Sequence, residues 1–400
     1  MSQLIIIQGV SAQSIIFSKE EVDGLKSSVK ESNPSLSVFI KNLEKVADYW
    51  NTKKPVSITD YKSPLTEAGA NDYFSEGPYW WPDPDDPNAP YIKNDGERNP
   101  DRFVKHKEAL MKMYAAVTSL SYAAYIFDNE SYAVKAVEFI NTWFVYSSTR
   151  MNPHLRYAQI IRNKPVIRGV GIIETHRFIN LVDAMTLLKY TGYWNNESYN
   201  ATIQWFEEYL GWLLNSEHGI DEKERGNNHS SWWGAQVAAI SLFVNYKTGL
   251  PELVEYAKHS LIDKQIDQNS RQPLEEVRTL SLNYSVFNIT ALTVLASLTG
   301  SSDSNLFNYV NENNSSIISA IDYLLPFIKN PDQWELQQVR PFKEDAIVFL
   351  GLAGLKLANK NYLTLYTELL SDEKSDRQLL LQDPFENILS MIVINKMNMS

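Results

Sequence analysis

The sequence predicts an all-α fold made of two layers of helices, and three observations carry that prediction. Beyond about residue 100, apolar residues recur at three-and-four spacing in ten segments: 103–127, 130–147, 171–192, 197–214, 231–247, 251–265, 282–299, 303–324, 342–358 and 361–371. No strand-like alternation of comparable strength accompanies them. Some segments, such as Trp232 to Val244, are apolar on nearly every side and belong to a buried inner layer, whereas others are amphipathic. Short turns join them, as at Thr191–Gly192, Gly249–Leu250–Pro251 and Gly300–Ser301–Ser302. This alternation fits a double-layered α/α barrel or toroid, but a helical solenoid or bundle gives the same periodicity.

Composition bounds the function. The 400 residues suit one large domain or two ordinary ones, with enough chain for a sizeable core. The net charge of −11 (37 basic against 48 acidic residues) speaks against nucleic acid or an anionic membrane as the main partner. Zero cysteines exclude disulfides, thiolate metal sites and a thiolate nucleophile. Six histidines leave few candidate metal ligands. Ten Trp and 22 Tyr suit a protein that stacks on ring-shaped ligands, although helical cores also consume aromatics. No run approaches the ~18 apolar residues of a membrane span. Residues 1–13, MSQLIIIQGVSAQ, read as the remnant of a secretory signal peptide. The expected organisation is therefore a leader remnant at 1–13 and one domain over 14–400, working as a monomer in the periplasm or outside the cell.

Residues 71–101 break the helical pattern with six prolines, paired Trp and many Asp and Asn. Three adjacent aromatics, Tyr79–Trp80–Trp81, point to an ordered loop over a cleft. Asp83, Asp85 and Asp86 are read as turn formers, since the intervening prolines and the missing Gly and downstream Glu break a calcium-loop pattern.

Three polar clusters carry candidate chemistry. Gly226–Asn227–Asn228–His229–Ser230–Ser231–Trp232–Trp233 stands just ahead of an apolar helix, with Ser230 or Ser231 as its expected cap. A helix N-terminus of this kind favours an anion. Arg278–Thr279–Leu280–Ser281–Leu282–Asn283–Tyr284 enters another apolar helix, with Arg278 expected in the preceding loop because residues six apart do not share a helix face. Arg150 to Arg177 holds six basic residues and one acid, a local charge of +5, together with His154, His176, Tyr157, Gln159 and Arg168. Such a run is often a solvated face, but its mixture of amide, aromatic and cation also suits a uronate cleft.

Taken together, GPYWWPDPDDP, MNPHLRYAQ, GVGIIETHRF, NNHSSWW and RTLSLNY, in that order over roughly residues 60 to 350, resemble the alginate lyase superfamily of polysaccharide lyases. The resemblance implies an (α/α) toroid, an incomplete double-layered α/α barrel. It also implies cleavage of a 4-linked uronic acid polymer, alginate or glucuronan, by β-elimination without a cofactor. The family's Asn–His pair matches Asn228 and His229, and its Arg and Tyr match Arg278 and Tyr284.

Elimination removes the C5 proton of a uronate and expels the oxygen on C4, so charge developing beside the carboxylate needs preorganised donors. Asn228 and Arg278 are expected to bind that carboxylate. A base takes the proton and an acid protonates the leaving oxygen. Tyr284 can do both where proton and leaving group share a side of the ring, as in mannuronate or glucuronate. For guluronate they lie on opposite sides, and His229 is the expected base with Tyr284 the acid. His176 is expected to hold the carboxylate or tune Tyr284. Gln159 and Arg168 are expected in the substrate cleft, with Tyr73, Trp80 and Trp81 stacking on sugar rings. Two other readings are a glycoside hydrolase, with Glu174, Asp72 and Glu344 as loose candidates for paired acids, and a non-catalytic polysaccharide-binding protein.

Overall fold

Capping residues mark where several helices begin. Ser18 and Glu21 form a capping box at α1 (Lys19–Lys30). Asn195 accepts from the Ser198 amide at the start of α6 (Asn196–Asn215), and Ser216 does the same for Gly219 in α7 (Glu217–Lys223). The computed structural model describes residues 14–65, 67–86, 88–164, 166–300, 305–342, 347–372 and 383–399. The segment 1–13, expected to be a leader remnant, lies outside the described residues, as does Glu344.

The remaining helices are α2 (Ser37–Asn51), α3 (Lys105–Phe127), α4 (Glu130–Ile140), α5 (Phe178–Tyr190), α8 (Asn228–Phe243) and α9 (Leu250–Tyr256). After them come α10 (Asp263–Gln265), α11 (Pro273–Glu276), α12 (Ser281–Thr299), α13 (Ile317–Lys329), α14 (Val348–Lys356), α15 (Lys360–Asp372) and α16 (Pro384–Met399). Contacts define the layers. α3 packs on α5, α5 on α8, α8 on α12, α12 on α14, α14 on α16, and α16 returns to α3. That ring is the inner layer. α4, α13 and α15 lie outside it on α3, α12 and α14, while α6 packs on α8. Between α8 and α12 the cover is irregular, made of the short α9, α10 and α11.

The inner position explains the all-round apolar character of α8 and α12, which bury most of their residues. By length and composition α12 could span a membrane, yet 72% of its most apolar window is buried inside the protein. One contiguous core runs from Ile16 to Val393. Much of the aromatic excess sits there: Phe144, Phe178, Trp205, Phe206 and Tyr209 form one cluster of edge-to-face and stacked rings.

The proline-rich segment is ordered. It contributes β1 (Phe74–Glu76), β2 (Trp80–Trp81) and β3 (Ile92–Lys93), and β4 is Tyr157–Ile160. β1 pairs with β4 in parallel, and β2 pairs with β3 antiparallel, Trp80 opposite Lys93. Asp83 and Asp86 side chains accept from the Asp85 and Asn88 amides, so they are used in turns.

Candidate active site

A cavity of about 860 Å³ opens between the 71–101 loop, the first turns of α8 and α12, and the segment leading into α5. A second cavity of about 500 Å³ adjoins it, and the two share Tyr79, Arg98, His176, Arg177, Tyr284 and Phe287. The larger one is lined by seven cationic side chains (Lys93, Arg98, Lys107, Arg168, Arg177, Arg225 and Arg278) against a single acid, Glu174.

Asn228 and His229 are the first two residues of α8. Gly226 adopts φ +74, and Asn227, rather than Ser230 or Ser231, caps the helix by accepting from the His229 amide. The two serines are occupied elsewhere: Ser230 Oγ gives to the Glu222 carbonyl and Ser231 Oγ to Gln265. Asn228 is buried, and its Nδ2 lies 2.9 and 2.8 Å from the two carboxylate oxygens of Glu275, which also accepts from the Asn228 amide at 2.6 Å. Burial raises the Glu275 pKa, while the Asn228 donors, Arg278 and His229 work against the rise. The His229 ring gives Nδ1 to Glu222 Oε1 at 2.7 Å.

Arg278 lies between α11 and α12, in the connecting segment as expected. Its Nε and Nη2 bind Asp95 Oδ2 and Oδ1 at 3.2 and 3.0 Å, and its guanidinium lies 3.9 Å from the Tyr284 ring centroid. The bidentate fork expected to grip the substrate carboxylate is therefore occupied by Asp95. Burial opposes the Arg278 charge, but Asp95 more than offsets it and raises the pKa above the ordinary guanidinium value. Tyr284 gives its hydroxyl to Tyr79 at 3.1 Å. Burial, then Tyr79, push its pKa well above 10 despite the opposing pull of Arg278.

His176 lines both cavities, packed on Trp232 and Phe287. Its Nδ1 lies 2.8 Å from the Ile173 carbonyl, which can only accept, so Nδ1 carries the proton. Burial, then Arg177, lower its pKa to about 3. In that neutral form Nε2 is left with a lone pair.

Among the remaining candidates, Gln159 and Arg168 line the larger cavity, with Arg168 giving Nη1 to the Gln159 carbonyl at 3.0 Å. Burial, then Arg225, bring Arg168 down to about 10. Trp80 lines the same cavity beneath Lys164 and Arg168 at 5.3 and 5.4 Å. Trp81 does not line it, because adjacent residues of a strand face opposite sides, and its Nε1 gives to the Glu97 carbonyl. Tyr73 is also removed from the stacking set: it is fully buried, and its hydroxyl gives to Glu174 at 2.8 Å. Of the paired-acid candidates, Asp72 is tied to Asn152 and His154 away from the cavity, which leaves Glu174 alone on its wall among the described residues.

The sequence reading missed Glu222, Glu275, Asp95 and Arg98. Glu222 stands in the acidic run Asp221–Glu224, which reads as solvent-facing, yet its side chain is 0% exposed. Glu275 precedes Arg278 by one helical turn, a spacing that hinted at a shared site.

Comparison with known proteins agrees with the fold. A family model described as alginate lyase matches residues 57–334. The crystal structure of an alginate lyase from Bacteroides ovatus is 29% identical, with a TM-score of 0.85 over 94% of this chain and 99% of that one. A variant of alginate lyase A1-III complexed with a tetrasaccharide matches at 15% identity and TM-score 0.55, over 89% of this chain and 91% of that one. Alginate lyase A1-III from Sphingomonas species A1 matches at 16% identity and TM-score 0.50, over 80% of this chain and 87% of that one. At these identities the two A1-III structures bear on the fold alone. No curated protein matches. Because the family model spans more than half of the sequence and the helices form the α/α toroid, the chain belongs to the alginate lyase family.

Proposed function

We propose that the protein cleaves a 4-linked uronic acid polymer, alginate first among them, by β-elimination, leaving an unsaturated uronate at the new end. Family membership makes it a polysaccharide lyase. The observation that carries the finer reading is the cavity where His229 and Tyr284 stand among seven cations, five paired with Asp95, Glu174, Asp221 or Asp383 and two, Arg98 and Arg168, with no acid partner among the described residues. Such a wall concentrates a polyanion.

Roles follow from the contacts. Arg98 makes no hydrogen bond or ion pair with any described residue and lines both cavities, so it is free to meet a substrate carboxylate. Arg278, fixed by Asp95, adds preorganised positive charge where charge develops, while Asn228 gives its Nδ2 donors to Glu275, which fixes the first turn of α8 beside His229. His229 takes the C5 proton. Tyr284, kept protonated by burial, delivers a proton to the C4 oxygen. Separate base and acid suit guluronate, where the two groups lie on opposite sides of the ring. Trp80 offers a ring face for stacking. A polymeric substrate suits action in the periplasm or outside the cell, and a monomer is the proposed working unit.

The test is incubation with polyguluronate, polymannuronate and glucuronan while ultraviolet absorbance reports the new C4–C5 double bond. Polyguluronate is expected to react fastest. A higher rate on polymannuronate would reassign both proton transfers to Tyr284, and absence of absorbance with all three would overturn the lyase reading.

A further inference from the structure

The buried carboxylate of Glu222 stands out because nothing in the local sequence explains its position. It sits in a run of five charged residues, Asp221 to Arg225, at the end of the seven-residue helix α7, where a solvated side chain is the ordinary outcome. Instead the side chain is 0% exposed, and one oxygen lies 2.7 Å from His229 Nδ1. The other oxygen, Oε2, is buried and has no hydrogen-bond partner among the described residues. Burying a carboxylate oxygen without a donor costs free energy, so the arrangement needs an offsetting reason.

Two glycines bring α7 close enough for this contact. A Cβ on Gly169 would lie 2.1 Å from the His218 carbonyl and 2.6 Å from the Glu222 amide, and a Cβ on Gly219 would lie 2.1 Å from the Leu213 carbonyl. Only a residue without Cβ lets the 169–175 segment and the end of α6 press on α7 so tightly. The Gly169 amide gives to Asp221 at 2.7 Å, and Tyr256 gives its hydroxyl to the Lys223 carbonyl at 2.6 Å. α7 is thus held from two sides with Glu222 turned inward.

We infer that Glu222 is the positioning residue of His229: its carboxylate fixes the imidazole with the proton on Nδ1 and the lone pair of Nε2 toward the cavity, and stabilises the imidazolium formed when that lone pair takes a proton. The chemistry requires this order. A carboxylate accepts, so the nitrogen it contacts carries the hydrogen. When Nε2 is protonated, the hydrogen bond becomes an ion pair with a fully buried carboxylate, and the attraction grows where the transition state needs it. No redox change is involved: the Nε2 lone pair takes the C5 proton, the C5–H electron pair becomes the C4–C5 double bond, the C4 oxygen leaves with its bonding pair and takes the Tyr284 proton, and the Nδ1 proton stays. The other charges facing His229 are Glu275 behind Asn228, and Arg168, Arg225 and Arg278 on the same wall.

This inference rests on the lyase reading but is tested apart from it. Nitrogen-15 NMR of imidazole-labelled wild-type protein is expected to show the Nδ1–H tautomer at His229. An Nε2–H tautomer would overturn the inference whatever the substrate. Glu222→Gln keeps an acceptor and loses the charge. It is expected to retain the tautomer and the melting temperature while kcat falls roughly 10-fold or more at nearly constant KM. Glu222→Leu removes both and is expected to lose about 100-fold or more in kcat. If it does not fold, the Gln variant and the wild-type spectrum still decide. Full kcat in Glu222→Gln, or a loss confined to KM, would also overturn it. Absence of wild-type turnover on every uronate polymer would sink the lyase reading and leave the tautomer result standing.

Discussion

The guanidinium of Arg278 lies over the ring of Tyr284, 3.9 Å from its centroid, and is anchored by Asp95. A cation there favours the phenolate, whereas burial and the Tyr79 hydroxyl favour the phenol, and burial prevails. Arg278 therefore eases the departure of the Tyr284 proton without removing it in the resting protein. This is the state a general acid needs.

Tyr284→Phe is expected to lower kcat by about 100- to 10,000-fold, the ordinary contribution of a positioned proton donor, with KM nearly unchanged. Steady-state kinetics on the best polymer checks this. Loss of the bond to Tyr79 should cost only about 1 kcal/mol of stability, so folding should persist.

Asp95→Asn tests the anchor. Burial opposes ionisation of Asp95, but Arg278 and Lys93 pull its pKa from 3.8 to about 2. A carboxyl whose folded pKa lies below its unfolded value contributes stability above the unfolded pKa and loses it as pH falls through the folded one. The variant should melt below the wild type at neutral pH, and the two melting temperatures should converge as pH falls from 3.8 toward 2. Activity at neutral pH should fall as Arg278 loses its fixed position.

His176 makes an acid-side prediction of its own. Its folded pKa of about 3 lies below the ordinary 6.5, so the unfolded chain takes the proton first. Its contribution is complete above 6.5 and is lost as pH falls toward 3, amounting to roughly 4–5 kcal/mol at full extent. His176→Phe preserves an aromatic ring against Trp232 and Phe287. Its urea midpoint should fall less steeply than that of the wild type across this window.

Arg98→Gln should raise KM on uronate polymers by roughly 10-fold, about 1.4 kcal/mol of binding, with little change in kcat. The wild-type KM should rise with salt as the cationic wall is screened, and the variant's should rise less. Kinetics at two ionic strengths distinguish this from a structural loss, which would lower kcat as well.

Much of the architecture was legible because helix periodicity is local. The apolar faces of α8 and α12 announced an inner layer. The Asn228–His229 and Arg278–Tyr284 segments were equally visible, since each is a polar cluster ahead of an apolar helix. The partners of these residues were not legible. Asp95 lies 183 residues from Arg278, and Glu275 lies 47 from Asn228. Trp80 and Trp81 looked alike until the pleat of β2 sent them to opposite sides. Tyr73 looked like a stacking residue until Glu174 fixed it in the core.

By itself the sequence determined the helical repeat, the family and the residue types available for proton transfer. Tertiary structure decided the electrostatics. A chain of net charge −11 gathers lysines and arginines from positions as distant as Lys93 and Arg278 onto one wall, where a single acid faces seven cations. It also turns Glu222 from an apparent surface charge into the buried partner of His229. The reason is physical: periodicity depends on neighbours along the chain, whereas potential and burial depend on neighbours in space, which only the closed ring of helices brings together.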